Sequence, residues 1–315
     1  MKELLQTILD GLAEGSLYAM IALGYTLVYG IVKLINFAHG EFFMIGAYIG
    51  LFILATPASA TSSPWLFALV LALAFGASVC GASLLAVATE RIAYRPIRGY
   101  DRIVALLTAI GVSFLLQNLA RLAFSPNPRS YAVPGNDPDA CWGAFLRWYH
   151  AYAHPLGFEL QNAKLLILII AAVTLAFLYT LVMRTRFGKA MRATSQDLET
   201  AKLMGIDTDA VIARTFALGG AFAGLAGMLT GMLRIVEPMM GFMPGLKAFV
   251  AAVVGGIGSI PGAVLGGLVI GLAENLAVFA NLDSAYKDAV AFAILVLILM
   301  FRPGGILGVL RREKV

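Results

Sequence analysis

The sequence predicts an all-α integral membrane protein: a polytopic bundle of eight or nine transmembrane segments, with an inverted repeat and discontinuous or re-entrant helices. Three observations predict it. Of 315 residues, 60% are hydrophobic and 13% charged, against about 25% charged in soluble domains, and mean hydropathy is +0.85. The apolar residues gather into nine runs of near-spanning length. The basic residues lie in short clusters between those runs, as membrane orientation requires.

A spanning helix needs about 20 mostly apolar residues. The runs fall at about 8–32, 36–55, 65–89, 102–124, 163–183, 211–236, 244–261, 262–280 and 286–301. The first contains Glu14 and the second is short. The seventh and eighth are divided only by Ser259, Pro261 and Gly262. Either short piece could be a re-entrant segment or a broken helix, tolerated where backbone lines protein or a water-filled cavity.

Orientation follows from Lys and Arg. Arg91, Arg95, Arg98 and Arg102 precede the fourth run. Arg184, Arg186, Lys189, Arg192, Lys202 and Arg214 precede the sixth, and Arg302, Arg311, Arg312 and Lys314 form the tail. With nine crossings all three clusters share one side, which should be cytoplasmic. The loop at about 125–162 then faces outward; Arg129 and Arg147 are balanced there by Asp137, Asp139 and Glu159. Nine crossings put the N-terminus outside, and eight put it inside. The odd fifth crossing inverts the second set of runs relative to the first, so 1–315 reads as one transmembrane domain with half-repeats at about 8–124 and 211–301.

Glycine supplies 33 residues, many inside the apolar runs. The pairs Gly220/Gly224, Gly227/Gly231, Gly262/Gly266 and Gly267/Gly271 each share a helix face, which lets helix backbones approach closely in lipid. The stretch GGIGSIPG, Gly255 to Gly262, has too many Gly and Pro residues for a helix interior. It reads as a break or tight turn, at a pathway or at an ordinary inter-helix loop.

Between about 184 and 210 lies RTRFGKAMRATSQDLETAKLMGIDTDA, the one long cytoplasmic segment with a helical pattern. Ser195 can cap a helix start, with Asp197 and Glu199 in its first turn. Leu198, Ala201, Leu203 and Met204 give an apolar face and Gly205 a stop. So short a helix is marginal in water alone and implies a soluble partner. The alternative is a helix on the membrane surface, for which Arg184, Arg186, Lys189 and Arg192 are suited.

Glu199-Thr200-Ala201-x-x-x-Gly205 resembles the E-A-A-x-x-x-G loop by which importer permeases of the ATP-binding cassette (ABC) class dock into their ATPases. Thr200 departs from that pattern, and Thr215-Phe216-Ala217-Leu218 departs from the I-x-L-P that often follows. Together with INFAHGEFFMIGAYIG (Ile35–Gly50), ERIAYRPIR (Glu90–Arg98) and KAFVAAVVGGIGSIPGAVLGG, the loop is similar to the LivH-type permeases of bacterial branched-chain amino acid ABC importers. The similarity runs from Glu14 to Gly308 and matches poorly at 125–161.

The resemblance implies a complex in the bacterial inner membrane. It would hold a second, related permease, two cytoplasmic ABC ATPases and a periplasmic binding protein delivering leucine, isoleucine or valine; close relatives handle urea, short amides or other amino acids. It implies a coupling role for Asp197, Glu199, Ala201 and Gly205. It implies no cofactor in this chain, with ATP and Mg in the partner ATPases. In accord with that, no G-x-x-x-x-G-K-S/T occurs in the sequence.

Several polar groups lie in or at the runs, where ionisable residues are functional candidates. Asn36, His39 and Glu41 open the second; they read either as a helix cap wetted by the interface, with Asn36 as N-cap, or as an internal gate. Glu274 and Asn275 lie inside the eighth and should face protein or water. With Gly255, Gly256 and Gly258 these are the candidate pathway or gate residues. Lys247 could snorkel outward.

Other classes find less support. A net charge of +5 distributed in loop clusters is no nucleic-acid surface, and Cys80 with Cys141 makes neither a disulfide framework nor a metal spacing. His39, His150 and His154 lack the H-E-x-x-H spacing. Met1 to Glu3 is barely basic, and Asp10 and Glu14 interrupt any signal-peptide core. A secondary transporter would need its own coupling acid, for which Glu274 is the candidate.

Overall fold

Lipid offers backbone amides no partners, so apolar runs must satisfy their own hydrogen bonds, and all nine do so as helices. The computed structural model describes residues 2–56, 61–131, 141–153 and 160–308. Asp137, Asp139, His154, Glu159 and the tail residues Arg311, Arg312 and Lys314 lie outside the described residues. The apolar helices are α1 (Lys2–Val32), α2 (His39–Leu54), α3 (Pro64–Thr89), α4 (Arg102–Phe124), α6 (Asn162–Arg184), α9 (Thr208–Gly231), α10 (Phe242–Gly255), α11 (Ile260–Phe279) and α12 (Lys287–Phe301). Between α4 and α6 comes α5 (Cys141–His150), and between α6 and α9 come α7 (Arg186–Gln196) and α8 (Leu198–Leu203).

Among the described residues, seven helical stretches are long and apolar enough to cross a membrane. The two others are α2, with 16 residues, and α10, with 14. At about 1.5 Å per residue these reach roughly 24 and 21 Å, short of a hydrocarbon core of about 30 Å.

Local chemistry sets the ends. Pro64 occupies the first turn of α3, where its missing N–H costs nothing. At its other end α3 passes into a π-turn at Glu90–Tyr94 and a 3-10 turn at Arg95–Ile97, where Pro96 removes a donor and ends the helix. Ser259 caps α11 by accepting from the Gly262 amide at 3.2 Å, with Pro261 in the first turn.

The chain forms two compact units, each assembled from separated stretches. The first comprises Met1–Asn36, Leu168–Thr215 and Leu246–Val315. Its principal contact is α1 along α11, and it is a glycine seam. A Cβ on Gly267 would lie 2.7 Å from the Ala19 Cα, and one on Gly15 would lie 2.8 Å from the Leu268 Cα. Only hydrogen fits at that spacing, so the small residues bring the two backbones into contact. α12 packs on α11 and turns most of its apolar surface outward, as a lipid-facing helix does.

The second unit comprises Phe37–Ile167 and Phe216–Gly245. There α2 packs against α3 and α4, and α2 is mostly buried. In its described residues the 125–162 segment is more than the loop expected of it. Its α5 turns Trp142 and Tyr149 inward, Trp142 beside Phe67, Phe145 and Tyr131. A hairpin of two-residue strands, β1 (Tyr152–Ala153) and β2 (Leu160–Gln161), follows. The Tyr149 hydroxyl donates to the Leu229 carbonyl at 2.9 Å and that of Tyr131 to the Ala47 carbonyl at 2.6 Å. Aromatic side chains with polar tips thus tie this segment down, and apolar period alone could not reveal a helix of ten residues.

Candidate functional site

The segment joining α6 to α9 is built from caps. Thr185 caps α7, accepting from the Gly188 amide at 3.0 Å. Asp197, not Ser195, caps α8: its carboxylate accepts from the amides of Glu199 and Thr200 at 2.9 and 3.0 Å and from the Thr200 hydroxyl at 2.8 Å. Ser195 lies in the last turn of α7 and donates to the Arg192 carbonyl. The hydrogen bonds from the Thr200 amide and hydroxyl, with that from the Glu199 amide, hold the Asp197 carboxyl below the usual carboxylate range.

α8 closes in a Schellman motif. Gly205 takes φ +80°, the Ile206 amide reaches back to the Ala201 carbonyl at 3.1 Å, and the Gly205 amide to Lys202 at 3.0 Å. Asp207 then caps α9 through the Ala210 amide at 3.0 Å. The apolar face divides: Ala201 is buried, whereas Leu203 is 87% and Met204 77% exposed. Glu199 is exposed beside them. A short, fully capped helix therefore presents two large apolar side chains and a carboxylate.

In the second unit Glu41 lies in the first turn of α2 and is buried. One of its oxygens accepts from the Ser113 hydroxyl and the Gln117 amide, both on α4 and both at 2.8 Å. Its other oxygen, Oε2, has no hydrogen-bond partner among the described residues. His39 starts α2, buried, its ring edge-on to Phe42 at 5.5 Å. The N-cap position of α2 is Ala38, with no side-chain cap. Asn36 is therefore not the N-cap, and at 1% exposure it is not wetted by an interface.

In the first unit Glu274 is fully buried. It accepts from the Tyr18 hydroxyl of α1 at 3.0 Å and is 3.0 Å from the Lys247 ammonium of α10. Lys247 does not snorkel outward: it also meets Asp288 of α12 at 2.6 Å. Asn275 donates to Glu14 at 3.0 Å, and Lys287 lies 3.4 Å from Glu14. The acid inside α1 is thus partnered, as a charge within an apolar span must be. Gly255 ends α10, and Gly256 and Gly258 take φ of +107° and +95°. GGIGSIPG is a sharp break between α10 and α11, in a backbone region that side chains avoid.

The sequence over residues 7–299 matches the family model for the branched-chain amino acid transport system / permease component. The chain belongs to that family. Among relatives of this permease, the "High-affinity branched-chain amino acid transport system permease protein LivH" of Escherichia coli K12 is 42% identical over 313 residues, 99% of this chain and 97% of that one. The similarly described BraD of Pseudomonas aeruginosa is 43% identical over 312 residues, covering 99% and 98%. A probable LivH of Methanocaldococcus jannaschii is 27% identical over 96% of this chain and 92% of that one.

The permease's polar groups find partners that the sequence reading did not name: Tyr18, Ser113, Gln117, Lys287 and Asp288. Ser113 and Gln117 were within reach of it. They stand four residues apart in a mostly apolar run, and so share a face that can meet something polar.

Proposed function

We propose that this chain is the membrane-spanning subunit of an ATP-driven importer in the bacterial cytoplasmic membrane. It passes leucine, isoleucine or valine from a periplasmic binding protein to the cytoplasm. The importer would contain a second, related permease and two different ATPase subunits, which would hold ATP and its magnesium. The observation that carries the reading is α8, whose Leu203 and Met204 are exposed on a helix fixed at both ends by caps. Apolar side chains held rigidly in that way need a protein partner, and an ATPase that moves on nucleotide binding would transmit its motion through them.

The substrate class is supported by relatives whose descriptions name branched-chain amino acid transport at 42–43% identity over almost the whole chain. In the permease's second unit, Glu41, with an unused carboxylate oxygen on the α2–α4 seam, is the leading pathway residue, with His39 on the same helix; in its first unit, Asn36 and the Gly255–Gly258 break are candidate gate elements. Glu274 and Asn275 serve as the first unit's internal clamp. Glu274 is already occupied by Lys247 and Tyr18, which leaves little room for the coupling role of a secondary transporter. Reconstitution with the ATPases tests this. A Leu203→Asp chain should fail to retain them, while a chain that retains them normally counts against α8 as the coupling helix.

A further inference from the structure

The end of α2 that meets the 125–131 segment carries a set of groups that the permease reading leaves unused. Tyr48 and Phe52 of α2 and Phe124 of α4 form one aromatic cluster: Tyr48 stacks on Phe124 at 4.5 Å between centroids, and Phe52 lies 5.2 Å from Phe124. Over Phe52, at 5.4 Å from its ring, sits the Arg129 guanidinium. Arg129 is pinned by two backbone hydrogen bonds to Val236, at 2.9 and 2.7 Å, and Glu237 is the next residue after Val236. Arg129 and Glu237 are both exposed, and neither is held in an ion pair among the described residues.

Below them the Tyr48 hydroxyl is fully buried and has no hydrogen-bond partner among the described residues. A buried donor left unpaired is unfavourable and rare, and it points to an absent acceptor. The Tyr48 ring lies 6.1 Å from that of Phe52, which Arg129 covers, and the Val236 that pairs with Arg129 is followed by Glu237.

We propose that these residues form an entry subsite for a free zwitterionic amino acid. The Arg129 guanidinium and the Tyr48 hydroxyl take its carboxylate, Glu237 takes its ammonium, and the Phe52 and Phe124 rings receive the aliphatic side chain. A positive and a negative group flanking an apolar floor match this ligand and neither an anion nor a cation alone. Exposed charges bind weakly, so affinity is on the order of millimolar, as suits a site that a substrate must also leave. The inference rests on the permease reading and names the first stop of its substrate.

The test uses the assembled complex in nanodiscs without binding protein. It reads saturation transfer to the methyl groups of leucine, of leucinamide, which lacks the carboxylate, and of 4-methylpentanoate, which lacks the ammonium. Wild type should transfer to leucine well above both analogues. Arg129→Gln should reduce the leucine signal by about fivefold, the worth of one exposed charge contact. Tyr48→Phe should weaken it too, and E237Q should remove the preference for leucine over 4-methylpentanoate. No leucine signal from a wild-type complex that still imports leucine with ATP would overturn the subsite and leave the permease reading standing. An Arg129→Gln complex with an unchanged leucine signal but lost stimulation of its ATPase by the binding protein would also overturn it, and would make Arg129 a docking contact. A leucine signal lost in Arg129→Gln from a complex that shows no ATP-driven uptake would uphold the subsite and sink the permease reading instead.

Discussion

The Lys247 ammonium lies 3.0 Å from one carboxylate oxygen of Glu274, and both side chains are buried. The pair joins α10 to α11, while Tyr18 and Asp288 bring α1 and α12 to the same point. Breaking a buried pair from one side leaves a charge without compensation, at a cost of about 3–5 kcal/mol. Lys247→Met should therefore be the more damaging change, because it strands Glu274. Glu274→Gln leaves Lys247 its contact with Asp288. The double variant should recover most of the loss. Thermal unfolding of the purified chain, followed by size-exclusion fluorescence, reads this directly; two single losses that simply add would argue against coupling.

Glu41→Gln should lower uptake by about tenfold or more, the worth of a hydrogen bond to a charged group, with insertion close to wild type. Its bonds from Ser113 and Gln117 hold the side chain, while the unused oxygen is what the permease would offer a substrate. Equal loss of uptake and of inserted protein would make Glu41 a structural residue.

Burying an exposed Leu against a partner is worth about 1.5–3 kcal/mol. Leu203→Asp should accordingly weaken ATPase association by about tenfold to a hundredfold, with the membrane part intact. Titrating the purified ATPases onto the variant in nanodiscs would give the ratio.

The cap at Asp197 makes a pH statement. Its carboxyl is held below the usual range in the folded loop, so the contribution is fully present at neutral pH and declines once pH falls below the ordinary aspartate value. It is gone once pH has fallen through the depressed value. Transport-coupled ATP hydrolysis should then show no transition assignable to this cap between about pH 5 and pH 8. Asp197→Asn, which keeps the side-chain acceptor, should retain more coupling than Asp197→Ala.

Gly267→Val would place two methyl groups where the Ala19 Cα is already 2.7 Å from a single added carbon. Overpacking of this kind costs about 1–3 kcal/mol or more, and the α1–α11 seam cannot relax without parting. Yield of folded, detergent-stable chain should fall, whereas Gly76→Val on α3, where nothing lies within 4 Å, should be silent.

Much of this was legible because lipid imposes one rule. Apolar length predicts helices, and each of the nine runs contains one, the second run, short in the sequence, giving a helix of 16 residues. Polar residues inside the runs announced themselves by their cost, so Glu41, Glu274 and Asn275 stood out before their partners were known. The partners did not, since which helix faces which is a matter of packing and not of period. Ser195 looked like the cap and Asp197 like a first-turn acid, whereas the Ser195 hydroxyl is engaged by the Arg192 carbonyl and Asp197 takes the cap. The outward exposure of Leu203 and Met204 was hidden for the same reason: a helical wheel gives a face but not what covers it. α5 was missed because ten residues with Arg147 and His150 among the aromatics carry too weak a pattern.

The central claim is that ATP hydrolysed elsewhere drives an amino acid through this chain by way of α8. The most direct test is ATP-dependent uptake of labelled leucine and of labelled urea into vesicles carrying the reconstituted complex, with Glu199 intact and with Glu199→Lys. The account expects leucine, not urea, to accumulate with ATP, and expects that uptake to vanish in the variant while the membrane part stays assembled. Leucine uptake that ignores both ATP and the substitution would contradict it.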